Sequence, residues 1–163
     1  MTSKDPAAEI SELSSTLDSV AAVLNPDAMS KEADRLREEA GDPYDGVTLR
    51  FVNPATGAAV FPTLGYSAGL LRPGEATRWK RETANSFTIV LDGAGTTEIA
   101  GQRFDWETND FFMVPSFLWR RHTNRGPRDA VLYLCSDRPL FEKIGQYRAQ
   151  GRTPEGGVVQ LVA

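Results

Sequence analysis

The sequence predicts an all-β barrel that follows a short helical arm. Two observations support this prediction. From residue 47 onward, short β-rich runs alternate with glycine- and proline-containing breaks, a spacing typical of sandwiches and barrels. Before residue 47, apolar residues recur at steps of three and four, which indicates helix. We therefore expect a helical arm at residues 1–46 and one barrel domain at residues 47–163.

Two helices are predicted in the arm. The first covers residues 7–24 and ends at a break where Asn25 can cap the next helix and Pro26 fits its first position. The second runs to about residue 40, and Gly41 ends it. We expect the arm to cover the barrel or a partner subunit, with partner recruitment as the alternative. The apolar stripe of the first helix consists of Ile10, Leu13, Leu17, Val20 and Leu24.

The barrel region is predicted to contain many short strands, a short helix at residues 140–150 and a final edge strand at Val158–Val162. The breaks between strands contain glycine, as in Arg72-Pro73-Gly74 and Ala100-Gly101. The predicted strands before the helix cover residues 48–52, 58–62, 66–71, 87–91, 95–99, 102–106, 111–115, 120–123 and 130–136.

Composition and charge exclude several classes of protein. Residues 1–46 hold 11 acidic and 4 basic residues, whereas residues 47–163 hold 11 acidic and 14 basic residues. A net charge of +3 on the barrel is too weak to favour nucleic acid, which prefers a strongly basic stripe. No apolar run approaches the ~18 residues that a membrane span needs, and no signal pattern opens the chain. The single cysteine, Cys135, fits a reducing compartment, so we expect a cytoplasmic protein.

Two motifs are more specific than the strand count. The first is PGEATRWKRETANSFTIVLDGAG, residues 73–95, and the second is NDFFMVPSFLWRRHTN, residues 109–124. Together they resemble the two signature motifs of the cupin superfamily. The match continues across residues 48–150 and is similar to the C-terminal cupin of gentisate 1,2-dioxygenase and its hydroxynaphthoate and salicylate relatives. The resemblance implies a jelly-roll barrel (a double-stranded β-helix), here a single cupin, and a homodimer to which the N-terminal helices contribute.

The metal-ligand positions of the family depart from its pattern here. In register with Pro73-Gly74, the two histidine positions of the first motif fall on Lys80 and Glu82, and the third ligand position falls on Ser86. Arg120 stands at the histidine position of the second motif. Non-haem iron needs imidazoles and a carboxylate, so a lysine and an arginine oppose a dication. We therefore expect no metal and no other cofactor.

Strand alternation predicts which residues share the cavity. Lys80, Glu82 and Arg78 lie on one face of their strand, and Arg120, His122 and Asn124 share a face of another. Ser86 is expected near them, with Thr88 following it. The interpretations left open are a closed ion network of Lys80, Glu82 and Arg120, or an anion site.

In the anion site, Lys80 and Arg120 hold a carboxylate, enolate or phenolate. Glu82 and His122 transfer protons, since an unperturbed histidine has a pKa near 6.5. His122 as a neutral packed residue is the alternative. The predicted catalytic residues are Glu82, His122 and Lys80, and the predicted substrate-binding residues are Arg120, Arg78, Ser86, Thr88 and Asn124.

The sequence therefore predicts a metal-independent cupin that binds a small anionic or aromatic organic acid. The expected chemistry is proton transfer, as in isomerisation, cyclisation, dehydration or decarboxylation. The alternatives are a non-catalytic ligand-sensing or accessory cupin subunit, and a dioxygenase with unusual metal ligands. No nucleic-acid or membrane partner is expected.

Overall fold

The computed structural model describes residues 38–162. Both predicted helices of the arm lie outside these residues except for the last few positions before Gly41, so the arm stays a prediction. From Ala40 onward the described residues belong to one compact unit. No helix in this part of the chain is long and apolar enough to cross a membrane.

The described residues form eleven strands and one helix. Each strand is short, as the alternation of β-rich runs and turns predicts. In chain order they are β1 (Val47–Phe51), β2 (Gly65–Leu71), β3 (Lys80–Glu82), β4 (Ser86–Asp92), β5 (Ala94–Ile99), β6 (Gln102–Glu107), β7 (Phe111–Val114), β8 (Arg120–Asn124), β9 (Ala130–Ser136), α1 (Arg138–Lys143), β10 (Ala149–Arg152) and β11 (Val158–Val162).

The strands build two antiparallel sheets. One has the order β1-β2-β9-β4-β7 and the other the order β11-β10-β3-β8-β5-β6. The sheets pack face to face: Trp106 of the second sheet shares a core cluster with Leu132 and Val90 of the first. The chain passes from one sheet to the other between β4 and β5 at Gly93, whose φ is 97°. A side chain there would lie 2.8 Å from the Ala130 backbone, so glycine is required. The all-β jelly-roll prediction is confirmed.

Two predicted elements are wrong. The helix predicted at residues 140–150 ends at Lys143, and Ala149–Arg152 is strand β10. Gly145 adopts a φ of 69°, a left-handed conformation that ends the helix and releases the chain into the second sheet. The strand predicted at residues 58–62 is reduced to an isolated bridge between Val52 and Ala59.

Of the remaining strands, one was not predicted and one lies where the sequence places it. Strand β3 was not predicted, because its three residues are all charged. Strand β11 lies at the edge of its sheet, as predicted.

Candidate functional site

An open cavity of about 670 Å³ lies among strands of both sheets and helix α1. Its apolar wall comes from Leu71 of β2 with Leu132 and Leu134 of β9. Its charged wall comes from β3 and β8, where Lys80 and Arg120 are directly opposite in the strand register. The side chains of these two cations are only 7% and 5% exposed. Two of the four positions that the resemblance assigns to metal ligands are thus occupied by buried cations.

Two carboxylates pair with these cations. Asp45 accepts hydrogen bonds from Lys80 Nζ, at 2.5 Å, and from Arg120 Nη2, at 2.9 Å. The carboxylate of Glu82 lies 3.7 Å from Lys80 Nζ and 3.4 Å from Arg120 Nη2. We call Asp45, Lys80, Glu82 and Arg120 the inner cluster. It holds two positive and two negative charges, so its net charge is zero.

Asp45 reaches the cluster from a tight turn. Asp42 Oδ1 accepts the backbone N–H groups of Tyr44, at 2.7 Å, and of Asp45, at 3.1 Å. Gly46 closes the turn with a φ of 70°, and a side chain there would lie 2.7 Å from Leu71. Tyr44 is buried against Gly151 of β10. The turn is therefore fixed at both ends, and it holds the Asp45 carboxylate in place.

The pKa values of the cluster follow from these charges. Burial alone would raise the pKa of Asp45, but the charges of Arg120 and Lys80 outweigh burial and hold it well below its usual range. Burial opposes the charge of Arg120, and Asp45 and Glu82 more than offset it, so the pKa of Arg120 is raised. Asp45 and Arg120 are therefore both charged at neutral pH.

Tyr147, two residues before β10, contacts the carboxylate of Glu82. Its hydroxyl donates to Glu82 Oε2 over 2.5 Å. Burial first, and then the negative charge of Glu82, raise the pKa of Tyr147, so the phenol keeps its proton. Tyr147 therefore fixes the carboxylate of Glu82, and with it one side of the inner cluster.

His122 is a buried neutral side chain. Burial first, and then the charge of Arg120, lower the pKa of His122 to about 3. Trp106 Nε1 donates to Thr97 Oγ1 over 2.9 Å, and Thr97 Oγ1 lies 2.8 Å from His122 Nδ1. Since Thr97 Oγ1 accepts from the indole and has its own proton left to donate, we infer that this proton lies on the hydrogen bond to Nδ1 and that the imidazole proton is on Nε2. Burial and the lowered pKa fit the alternative of a neutral, packed imidazole.

The cavity brings together five of the eight predicted site residues. These five, which all line it, are Lys80, Glu82, Ser86, Arg120 and His122.

The other three residues do not line the cavity. Arg78 is exposed, because strand β3 begins only at Lys80 and the alternation does not extend back to it. Thr88 is fully buried beside Val90, deeper in the core, and its hydroxyl has no partner among residues 38–162. Asn124 holds the chain after β8, since its Nδ2 donates to the carbonyls of Leu71 and Arg128. The structure therefore places these three residues away from the cavity lining, and their role in substrate binding stays a prediction.

The sequence also missed residues that the cavity uses. Asp45 falls within residues 1–46, which were assigned to the arm. Tyr147 falls within the helix predicted at residues 140–150, which ends at Lys143 in the structure. Arg50 on β1 and Lys143 at the end of α1 also line the cavity. The turn-forming run Asp42-Pro43-Tyr44-Asp45-Gly46 was the signal that could have placed Asp45 against the barrel.

The donor set at the family's metal position does not fit a divalent ion. Lys80 and Arg120 offer cations where the ligands would be, and the carboxylates of Asp45 and Glu82 are each already paired with both of them. At an effective dielectric of about 20, each such cation repels a unit positive charge at 4 Å by roughly 4 kcal/mol. Among the described residues there is no group of three or more His, Cys, Asp and Glu side chains that could hold a metal.

Residues 69–136 match a family model described as a cupin domain. The chain is 37% identical over 116 residues to a 5-aminosalicylate 1,2-dioxygenase of Comamonas sp., which covers 71% of this chain and 31% of that protein. It is 33% identical over 122 residues to a gentisate 1,2-dioxygenase of Haloferax sp., covering 74% of this chain and 33% of that protein.

Solved structures agree. Salicylate 1,2-dioxygenase of Pseudoaminobacter salicylatoxidans, in adducts with gentisate, superposes with a TM-score of 0.62 at 30% identity. The superposition covers 64% of this chain and 28% of that enzyme. The chain thus spans about a third of the length of the relatives it matches. These similarities confirm the resemblance that the two motifs indicate.

Proposed function

Since this chain is a cupin related to the ring-cleaving dioxygenases, we propose that it binds a small organic acid without a metal and transfers protons at Glu82. One observation carries this proposal. The family's metal position holds a charge-neutral cluster of ion pairs, yet an open cavity of about 670 Å³ remains beside it. That volume suits a single-ring aromatic acid, and closed ion pairs need no metal to neutralise them.

The cavity favours an anion with an apolar body. Its lining holds five cationic and three anionic side chains, a net charge of +2, with His122 neutral. Leu71, Leu132 and Leu134 give it an apolar wall. The carboxylate of such a ligand offsets part of the positive charge of the lining, and its aromatic ring packs against the three leucines. The names of its relatives include salicylate and gentisate, which each combine a carboxylate with an aromatic ring.

Glu82 is the group proposed to move the proton. Its carboxylate lines the cavity, and Tyr147 and Arg120 fix its orientation. It takes a proton from a carbon beside the carbonyl or carboxyl group of the ligand and returns it to the same or a neighbouring atom. Lys80 and Arg120 lie beside Glu82, and their positive charges favour the negative charge that develops on the ligand, while both stay paired with Asp45.

His122 acts as a donor in this proposal. With its pKa lowered to about 3, the imidazole is neutral and a poor base at pH 7. Its Nε2–H is the group that remains for a hydrogen bond to a ligand, because Thr97 lies against Nδ1. Of the predicted proton-transfer pair, Glu82 therefore keeps its role, and His122 binds and orients.

Hydrogen–deuterium exchange tests the proposal directly. Phenylpyruvate is an aromatic 2-oxo acid with acidic methylene protons, and NMR in D₂O follows their exchange. We expect the wild-type protein to accelerate exchange, Glu82→Gln to lower that acceleration by about 100-fold, and chelator to have no effect. Exposed Glu155→Gln serves as the matched control.

Three results would contradict the proposal. Equal exchange in the wild-type and Glu82→Gln proteins would remove the role of Glu82. Stoichiometric iron or manganese in protein purified without chelator would restore the dioxygenase alternative. Binding of phenylpyruvate without any acceleration would leave a ligand-binding cupin, which is the sensing or accessory alternative.

A further inference from the structure

Most of the charged side chains that line the cavity form ion pairs with one another, and two cations do not. The inner cluster is neutral, as described above. At the rim, Arg138 Nε donates to Glu142 Oε1 over 2.7 Å, which closes a second neutral pair. The two cations that remain are Arg50 and Lys143, and both side chains are exposed. Neither has a carboxylate partner within residues 38–162. The whole net charge of +2 therefore comes from these two residues.

Arg50 and Lys143 belong to the same end of the cavity. Arg50 is opposite Ser67 in the pairing of β1 with β2, two residues from Gly65. Gly65 in turn lies against Pro139 at the start of α1, where a side chain would be 3.1 Å from the proline ring. Helix α1 leads from this contact to Lys143. We call Arg50 and Lys143 the mouth cations.

The inner cations are poorly placed to receive a ligand's carboxylate. Lys80 and Arg120 are nearly inaccessible, and Asp45 already lies between them. Arg120 Nη1 has no hydrogen-bond partner among the described residues, but this atom is itself enclosed. An incoming carboxylate would have to displace Asp45 from a turn that is fixed at both ends.

We infer that the mouth cations form the carboxylate-binding subsite, and that the apolar body of the ligand extends inward over Leu71, Leu132 and Leu134. The inference rests on the proposed function and narrows its substrate class to acids with one carboxylate at one end and an apolar or aromatic body. At the mouth the carboxylate stays partly hydrated, so its binding avoids most of the cost of desolvation. Dicarboxylates with a charge at each end do not fit, because the inner wall offers no unpaired cation.

Calorimetric titration with salicylate tests this assignment, with salicylamide as the neutral probe of the same shape. We expect Arg50→Gln and Lys143→Gln each to weaken salicylate binding by about fivefold, and the double variant by about 20-fold. Affinity should also fall as salt rises, because the pair is exposed. Arg125→Gln, an exposed arginine away from the cavity, should leave affinity unchanged. Salicylamide should bind the wild-type and double-variant proteins equally weakly.

The outcomes separate this inference from the proposal on which it rests. Unchanged salicylate affinity in the double variant would overturn the assignment to the mouth and leave the proposed function intact. No binding of salicylate to the wild-type protein would contradict the proposed function itself, and the inference with it. Equal affinities of the wild-type protein for salicylate and salicylamide would exclude any carboxylate subsite.

Discussion

The inner wall of the cavity and its mouth both carry cations, but the surroundings of the two sets differ. Lys80 and Arg120 are buried and paired with Asp45 and Glu82. Arg50 and Lys143 are exposed, and no carboxylate in the described part of the chain pairs with them. A buried charge must be paired, because it has lost its hydration, whereas an exposed charge stays hydrated and remains available to a ligand. We therefore infer that the inner cations stabilise the fold and the wall around Glu82, and that the mouth cations bind the carboxylate of the ligand.

Removing one inner carboxylate gives the largest expected effect. Asp45→Asn leaves two buried cations with Glu82 alone, and we expect a loss of about 3 kcal/mol in the free energy of unfolding. Guanidinium denaturation at pH 7 measures it. Asp105→Asn, which breaks the exposed ion pair with Arg103, should leave the midpoint unchanged. An unchanged midpoint for Asp45→Asn would show that the inner cluster is not needed for the fold.

Asn124 tests whether a buried polar residue beyond the cavity serves the fold alone. Asn124→Ala leaves the carbonyls of Leu71 and Arg128 without their donor, and we expect a loss of about 2 kcal/mol. Salicylate affinity, measured under conditions where the variant stays folded, should not change. Weaker binding at undiminished stability would return Asn124 to the ligand site, where the sequence placed it.

The pH dependence of stability reports on His122, which is the chain's only histidine. Its pKa is about 3 in the folded protein and about 6.5 in the unfolded chain, so below pH 6.5 only the unfolded chain takes the proton. Stability is therefore lost as pH falls through 6.5, by about 1.4 kcal/mol between pH 7.5 and pH 5.5. Denaturation curves over this range should show the loss in the wild-type protein.

His122→Asn supplies the control for that window, since its side-chain oxygen can still accept from Thr97. The variant should have a flat profile from pH 7.5 to pH 5.5, and an equally steep profile would contradict the neutral imidazole. The lowered pKa of Asp45 acts in a separate window: its contribution is present above the ordinary carboxyl pKa of about 4 and is lost below it.

The smallest expected effect on stability belongs to the mouth. Arg50→Gln and Lys143→Gln remove exposed cations that pair with no carboxylate of residues 38–162, and we expect the midpoint of thermal unfolding to stay within experimental error. Differential scanning calorimetry checks this. A clear loss of stability in either variant would mean that the mouth cations pair within the fold, and the contrast with the inner cluster would disappear.

Local patterns predicted much of the fold. Alternation placed Lys80, Glu82, Arg120 and His122 toward the cavity, because burial follows the two-residue period on β8. Patterns failed where a tertiary contact decides. Strand β10 forms because β3 and β11 pair with it on both sides, and nothing in its own four residues indicates this.

The chemistry of the site was harder to predict than its location. The sequence could not show that Asp45 joins the inner cluster, since it is 35 residues from Lys80 and 75 from Arg120. Without Asp45, Glu82 neutralises only one of the two cations. The remaining positive charge favoured the interpretation of an anion site between Lys80 and Arg120. Nor could the sequence show that burial keeps His122 neutral, because a pKa depends on the folded environment.

A crystal structure of the protein soaked with salicylate tests the contrast between the two sets of cations most directly. We predict the carboxylate within hydrogen-bond distance of Arg50 or Lys143, the ring over Leu132 and Leu134, and the hydrogen bonds from Asp45 to Lys80 and Arg120 unbroken. A carboxylate bound between Lys80 and Arg120, with Asp45 displaced, would contradict it.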